Sequence, residues 1–132
     1  MIGYTVLGTN NIDTARTFYD GLLGSIGATR IMEFGEDLGG FTMWGTGWDK
    51  PSIALTRPYD GNAATAGNGN MVALVVDERA KVDALHAKAL ELGGSCEGPP
   101  GLRGQEGAQA FYGAYFRDLD GNKLCAFRVG PA

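Results

Sequence analysis

The sequence predicts an α+β protein built from two copies of a βαβββ module. Three observations support this fold class. First, the stretch Tyr4–Gly27 aligns without a gap on Met71–Gly94, so the chain contains an internal repeat. Second, each copy carries apolar residues at helical spacing. Third, short apolar runs separated by glycine-rich turns follow each helix, as expected for strands. We therefore expect one domain over residues 1–132.

The first copy begins with a predicted strand, Ile2–Gly8, and Asn10 or Asn11 can cap the helix that follows. Gly24 and Gly27 are stop signals for that helix. Its apolar face is predicted to consist of Ala15, Phe18, Tyr19, Leu22 and Ile26. Three further strands are predicted at Thr29–Phe34, Gly40–Trp44 and Ser52–Arg57. Module one is thus assigned to residues 1–57.

A small, polar, glycine-rich segment, residues 58–70, is interpreted as a linker, and module two spans residues 71–132. Met71–Val76 is predicted to be a strand, and Glu78–Leu92 a helix with Asp77 as its cap. The remaining strands are predicted at Ser95–Glu97, Phe111–Arg117 and Lys123–Val129. The last two form a hairpin across the turn Asp118–Asn122. The loop Gly98–Gln109 is long enough to act as a flap, or it is a passive connection.

Composition argues against several classes of partner. The formal net charge is −4 and no cluster of basic residues stands out, so we expect no nucleic-acid partner. No apolar stretch approaches the roughly 20 residues of a membrane helix, and the N-terminus lacks the pattern of a secretory signal. Cys96 and Cys125 suggest no disulfide framework, so we expect a cytoplasmic protein with free thiols. The mild acidic balance could favour a cationic ligand.

Four stretches of the sequence resemble those of a known superfamily, both in their residues and in their order. They are IDTARTFYDGLLGSIG, GNGNMVALVV, VDALHAKALELGG and GAYFRDLDGNKLCAF. Together they cover the characteristic parts of the vicinal oxygen chelate superfamily, which includes glyoxalase I, extradiol dioxygenases and bleomycin-binding proteins. The resemblance implies two modules related by pseudo-twofold symmetry that form an open mixed-sheet cup. It also implies a ligand in that cup and a homodimer.

The resemblance also implies where a metal ion would be held. Metal-dependent members use residues on the first and last strand of each module, typically two histidines and two carboxylate or amide side chains. Those positions fall on Tyr4, Ala54, Met71 and Cys125. None suits a divalent ion that prefers imidazole and carboxylate ligands. The single histidine, His86, is predicted on the second helix and away from the cup, so we expect no metal and no cofactor.

Without metal ligands, the cup is predicted to be an apolar pocket whose polar points are the phenol of Tyr4 and the thiol of Cys125. Its lining is predicted to include Trp44, Trp48 and Tyr115, although aromatic residues such as these also fill cores and dimer interfaces. We therefore predict a metal-free glyoxalase/bleomycin-resistance-like protein that binds a small organic molecule. The alternatives are a metal-independent lyase or isomerase that uses Tyr4 or Cys125, a resistance protein that sequesters a cationic drug, and a purely structural dimer.

Overall fold

The computed structural model describes all 132 residues and confirms the predicted α+β class with two βαβββ modules. Module one contains β1 (Tyr4–Gly8), α1 (Ile12–Gly24), β2 (Thr29–Glu33), β3 (Thr42–Gly45) and β4 (Ser52–Thr56). Module two contains β5 (Val72–Val75), α2 (Arg79–Glu91), β6 (Ser95–Leu102), β7 (Phe111–Arg117) and β8 (Lys123–Val129). A short 3-10 turn, Glu36–Leu38, separates β2 from β3.

The two modules have the same sheet topology. The strand orders are β1-β4-β3-β2 and β5-β8-β7-β6, with the first strand of each module parallel to the last and the other pairs antiparallel. In module one Val6 lies beside Ala54, and in module two Ala73 lies beside Cys125. The sequence repeat is therefore also a repeat of backbone pairing.

The first helix begins after one of its two predicted caps, Asn11, and ends at Gly24, so that Ile26 of the predicted apolar face lies beyond it. The side-chain oxygen of Asn11 accepts a hydrogen bond from the backbone N–H of Thr14 at 3.2 Å, which satisfies one of the free donors of the first turn. Gly27 adopts a φ of +85°, and the N–H of Ala28 returns to the carbonyl of Leu23 at 3.0 Å. The buried stripe contains Ile12, Ala15, Phe18, Tyr19, Leu22 and Leu23.

The second helix begins differently from the prediction. Glu78, and not Asp77, occupies the N-cap position, and its side chain makes no capping hydrogen bond. Asp77 lies one residue too early to reach the free N–H groups of the first turn, and its carboxylate instead accepts a hydrogen bond from Lys81 Nζ at 2.6 Å. The two helices nevertheless have the same length, 13 residues each.

The sixth strand is longer than predicted. It continues from Ser95 to Leu102 and so includes part of the segment Gly98–Gln109 that was expected to be a loop. Register shifts between Cys96 and Gly98, and again between Gly98 and Gly101, let this irregular stretch pair with β7. Because β6 is an edge strand, its prolines interrupt no pairing on the outer side.

Each helix packs on one face of its own sheet, which we call the helix face, and the opposite face is called the open face. The helix faces carry the fully buried aromatic residues Phe18, Tyr19, Trp44 and Phe116, together with Leu55, Leu85 and Leu124. Burying such apolar area supplies the main driving force for folding. Neither helix has the length and apolar character needed to cross a bilayer.

The chain divides into two compact units that do not simply follow its order. The first unit consists of Met1–Asn68 together with Leu119–Asn122, and the second of Gly69–Asp118 with Lys123–Ala132. Within the first unit, the side-chain amide of Asn122 donates to the carbonyl of Gly8 at 3.0 Å. The backbone N–H of Asn10 donates to Asp120 Oδ1 at 2.9 Å. The first unit thus includes the turn between β7 and β8.

Candidate functional site

The open face of module one carries neutral aromatic side chains. Tyr4 and Ala54 share this face, because Val6 pairs with Ala54 and lies two residues after Tyr4. Ala54 is fully buried, whereas Tyr4 is 55% exposed. The ring of Phe41 meets the Tyr4 ring edge-on at a centroid distance of 6.3 Å, and Phe34 lies 6.0 Å from Phe41. This face therefore offers aromatic surface and a single phenol.

The two tryptophans lie elsewhere. Trp44 is on the helix face, where its ring packs 5.8 Å from that of Tyr19 and its indole N–H donates to Asp20 Oδ1 at 2.9 Å. The structure therefore does not bring Trp44 to the face that carries Tyr4. Trp48 lies in the connection between β3 and β4 and is 71% exposed.

The open face of module two is centred on Cys125 and Tyr115. These two residues are directly opposite on β8 and β7. Cys125 is 1% exposed, and burial raises the pKa of its thiol although Tyr115, Arg103 and Lys123 act in the opposite direction. Met71 immediately precedes β5 and is half exposed.

Two cations lie against the Tyr115 ring. The Arg103 guanidinium carbon and the Lys123 ammonium nitrogen are each 5.4 Å from the ring centroid, within the range of cation–π attraction. Arg103 is fixed there because it donates to the carbonyls of Gly101 at 2.9 Å and Pro99 at 2.7 Å. A Cβ atom at Gly98 would lie 3.0 Å from the Tyr115 ring and 3.2 Å from Arg103, so a side chain there would require these neighbours to shift by a few tenths of an ångström.

Beyond this cationic group, the same face becomes apolar. Phe111 and Phe127 stack with ring centroids 5.3 Å apart and planes 9° from parallel. Gly113 makes room for this stack, since a Cβ atom there would lie 2.7 Å from the Phe111 ring. Val75, which pairs with Phe127, is 71% exposed on the adjacent edge strand. The sequence predicted Tyr115 as part of the pocket lining. It gave no signal for Arg103, which lies in a segment predicted to be a loop.

The donor chemistry does not fit the divalent ion that the resemblance implies. A phenol, a methyl group, a thioether and a thiol occupy Tyr4, Ala54, Met71 and Cys125. Nowhere in the chain do three or more histidine, cysteine or carboxylate side chains group closely enough to hold a metal ion. His86 is paired instead with Cys96, its Nε2 lying 3.2 Å from that thiol sulfur, and burial lowers the pKa of its imidazole although Asp83 opposes this.

A separate cavity of about 430 Å³ lies within the first unit, beside the linker. Its lining consists of Thr9, Asn10, Glu36, Gly39, Arg57, Pro58, Gly61, Asn62 and Ala63. Its polar groups already satisfy one another. Asn10 exchanges two hydrogen bonds with the backbone of Ala64, and Arg57 is paired with Glu36. The turn residues of the linker predicted a connection and gave no signal of this cavity.

Known proteins were compared with the chain at the level of sequence and of fold. The chain matches no curated protein. It is 33% identical to a glyoxalase/bleomycin resistance protein of Albidiferax ferrireducens, with a TM-score of 0.81 over 97% of this chain and 98% of that one. Two more distant structures share the fold. A glyoxalase/bleomycin resistance protein/dioxygenase family enzyme of Burkholderia phytofirmans has 21% identity and a TM-score of 0.69 over 96% of this chain and 97% of that one. A lactoylglutathione lyase of Agrobacterium tumefaciens has 20% identity and a TM-score of 0.64 over 97% and 92%.

The family profile decides the assignment. The profile of the Glyoxalase/Bleomycin resistance protein/Dioxygenase superfamily matches residues 1–126, nearly the whole chain. The match agrees with the βαβββ repeat and with the sheet order that both modules share. The chain therefore belongs to the glyoxalase/bleomycin resistance protein/dioxygenase superfamily.

Proposed function

We propose that this protein binds a small organic molecule without the help of a metal ion, on the open faces of its sheets. The observation that carries the proposal is the donor set at the four positions where metal-dependent relatives hold their ion. Tyr4, Ala54, Met71 and Cys125 offer no imidazole and no carboxylate. A scaffold with this set retains a binding surface and lacks the means to activate a substrate through a divalent ion.

The open faces support organic ligands because they combine apolar rings with few polar groups. Tyr4, Phe41 and Phe34 form such a surface in module one, and Phe111 and Phe127 form another in module two. Ligand sites in proteins commonly have this character, with a small number of polar groups that fix orientation. Tyr115 is only partly buried and is well placed for that orienting role, whereas Cys125 is 1% exposed and lies beneath this surface.

A metal-independent lyase or isomerase that uses Cys125 as its nucleophile is the weaker alternative. A nucleophilic cysteine reacts as the thiolate, and burial raises the pKa of Cys125. At neutral pH its side chain is therefore a neutral thiol. Binding without covalent chemistry at this residue agrees better with its surroundings.

Assembly as a homodimer is the second part of the proposal. β1 and β5 are edge strands, and beside those edges Val6 (47%) and Val75 (71%) are exposed on the open faces. Natural proteins rarely leave apolar edge strands uncovered, because such edges pair with other chains. Sedimentation equilibrium tests this part, and a monomer at a protein concentration of about 100 µM, well above a typical Kd of a stable dimer, would reject it.

Elemental analysis combined with ligand titration tests the central proposal. The purified protein is expected to contain no stoichiometric zinc, nickel, iron or manganese, and to retain ligand binding in excess chelator. Calorimetric titration with organic compounds measures the binding. A metal present at one equivalent per chain, with binding that disappears on chelation, would refute the proposal.

A further inference from the structure

We propose that the ligand is an organic carboxylate, whose carboxylate group binds at Arg103 and Lys123 and whose apolar body lies along Phe111 and Phe127. This inference rests on the proposed function and adds the chemical class of the ligand. The site lies entirely on the open face of module two.

The first step is the charge at this site. The other basic residue on this stretch of the open face, Arg117, is paired with Glu97 at 2.8 Å. Arg103 and Lys123 take part in none of the ion pairs of the chain, although Glu97, the partner of Arg117, also interacts electrostatically with Lys123. Two positive charges that both lie beside the Tyr115 ring attract an anion, in a protein whose net charge is −4. Local charge here thus has the opposite sign to the whole chain and repels the cationic drug considered above.

The second step is the rigidity of the cation. Two backbone carbonyls hold the Arg103 guanidinium in place, which leaves its remaining N–H groups free to donate to a carboxylate. A guanidinium that is fixed before binding loses little conformational entropy when the ligand arrives. Gly98 supports this arrangement, because a Cβ atom there would press on Tyr115 at 3.0 Å and on Arg103 at 3.2 Å.

The third step is the neighbouring apolar surface. Gly113 and Phe127 form the next open-face pair after Tyr115 and Cys125, and the Phe111 ring stacks on Phe127. Successive open-face pairs are two residues apart along each strand, roughly 7 Å. A ligand with a charged head and an apolar body a few carbon atoms long matches that separation. An inorganic anion would leave the aromatic surface unused.

Titration of the whole chain with 4-phenylbutyrate tests the inference, with the neutral 4-phenylbutyramide and inorganic phosphate as comparison ligands. Calorimetry gives the affinity, and backbone NMR shifts report where the ligand binds. We expect the carboxylate to bind about tenfold or more tightly than the amide, with shifts at β7 and β8. Raising the salt concentration weakens the binding of the carboxylate and leaves that of the amide unchanged.

Matched variants test which positive charges bind the carboxylate. Arg103→Gln and Lys123→Gln should each weaken 4-phenylbutyrate about tenfold and leave the amide unaffected. The controls are Arg128→Gln, which removes a charge from the helix side of β8, and Lys81→Gln, which removes one from α2. Both controls should bind like the unmodified protein. Thermal denaturation of each variant checks that it is folded. If Arg103→Gln and Lys123→Gln both weaken the binding of 4-phenylbutyrate, the conclusion does not depend on a single variant.

The possible outcomes separate this inference from the proposed function. Equal affinity for the amide and the carboxylate, unchanged in both open-face variants, overturns the anion class and leaves small-molecule binding intact. Phosphate that binds as tightly as phenylbutyrate overturns the role of the aromatic surface. No binding of either organic probe at about 10 mM overturns the site proposed here, whereas the proposed function is decided by the broader titration with organic compounds in excess chelator.

Discussion

The open faces of the two modules differ far more than the backbones that carry them. Both sheets have the same strand order, and the helices that cover them have the same length. The face of module one presents Tyr4 and Phe41, whose rings meet edge-on. The face of module two presents Tyr115 with two cations beside its ring. Repetition has thus preserved the packing on the helix side while the open sides have diverged.

This contrast separates the residues that maintain the fold from those that select a ligand. Helix-face positions are constrained by close packing, where each change of volume affects stability. The exposed open-face positions, such as Tyr4 and Val75, tolerate chemical change more readily, because they are not enclosed by close packing. The asymmetry therefore indicates that polar recognition is concentrated in module two.

The largest expected effect on stability comes from the helix faces, whose packing is alike in the two modules. Trp44→Ala in module one and Phe116→Ala in module two each remove a fully buried aromatic ring from a helix face. Each should lower the free energy of unfolding by about 3–5 kcal/mol. Chemical denaturation measures both values. A loss below about 1 kcal/mol in one module only would show that the two helix faces are not equivalent.

Cysteine reactivity sharpens the contrast within module two. Cys96 is exposed, whereas Cys125 is buried on the open face and its thiol pKa is raised by that burial. Alkylation of the native protein by iodoacetamide at pH 8 should be about tenfold or more slower at Cys125. Peptide mapping by mass spectrometry gives the two rates, and unfolding in guanidinium should equalise them. Faster native alkylation of Cys125 would revive its candidacy as a nucleophile.

The loss of folding stability at acid pH should come from His86, a position at which the two modules differ. His86 occupies the repeat position of Tyr19, and burial lowers its pKa in the folded state. As the pH falls below the unfolded-state pKa of about 6.5, the unfolded chain binds a proton that the folded chain does not, so stability decreases. The slope should stay below about 1.4 kcal/mol per pH unit, and His86→Gln should flatten it. Denaturation midpoints from pH 7 to pH 5.5 measure this, and an unchanged slope in the variant would contradict it.

The smallest effect concerns the helix N-termini. Asn11 caps α1 through Thr14, whereas Glu78 makes no capping hydrogen bond to α2. Asn11→Ala should lower the free energy of unfolding by about 1 kcal/mol, whereas Glu78→Ala should change it little. Glu78→Ser should stabilise the protein by up to about 1 kcal/mol, since it supplies the missing cap. Equal losses for the two alanine variants would contradict this difference between the modules.

The sequence predicted the elements well wherever local chemistry determines them. The β7–β8 hairpin was predicted to the residue, because the turn Asp118–Asn122 separates two clear apolar runs and Gly121 adopts a φ of +86°. The repeat itself led to the family. The cap of α2 was wrong by one residue, since the carboxylate of Asp77 pairs with Lys81. The predicted end of β6 was too early, because Gly98, Pro99 and Pro100 are typical of loops. Only their pairing with β7 makes them part of a strand.

The candidate site was harder to predict, because part of it depends on pairing between strands and not on local sequence. Cys125 and Tyr115 follow from strand alternation, which places them on one face. The position of Arg103 depends on the two register shifts of β6 and on contacts with the carbonyls of Pro99 and Gly101. Those are tertiary features that no local pattern encodes. Trp44 lies on the helix face because the side-chain alternation of β3 places it against Tyr19.

The turn between β7 and β8 has a consequence for how the protein is made. The first compact unit includes Leu119–Asn122, where Asp120 and Asn122 bond to the chain next to β1. Asp120 and Asn122 are translated 110 and 114 residues after their partners Asn10 and Gly8. The first unit therefore cannot make these contacts until the β7–β8 turn has been synthesised. A gene cut at the linker would produce a fragment that lacks its own closing contacts.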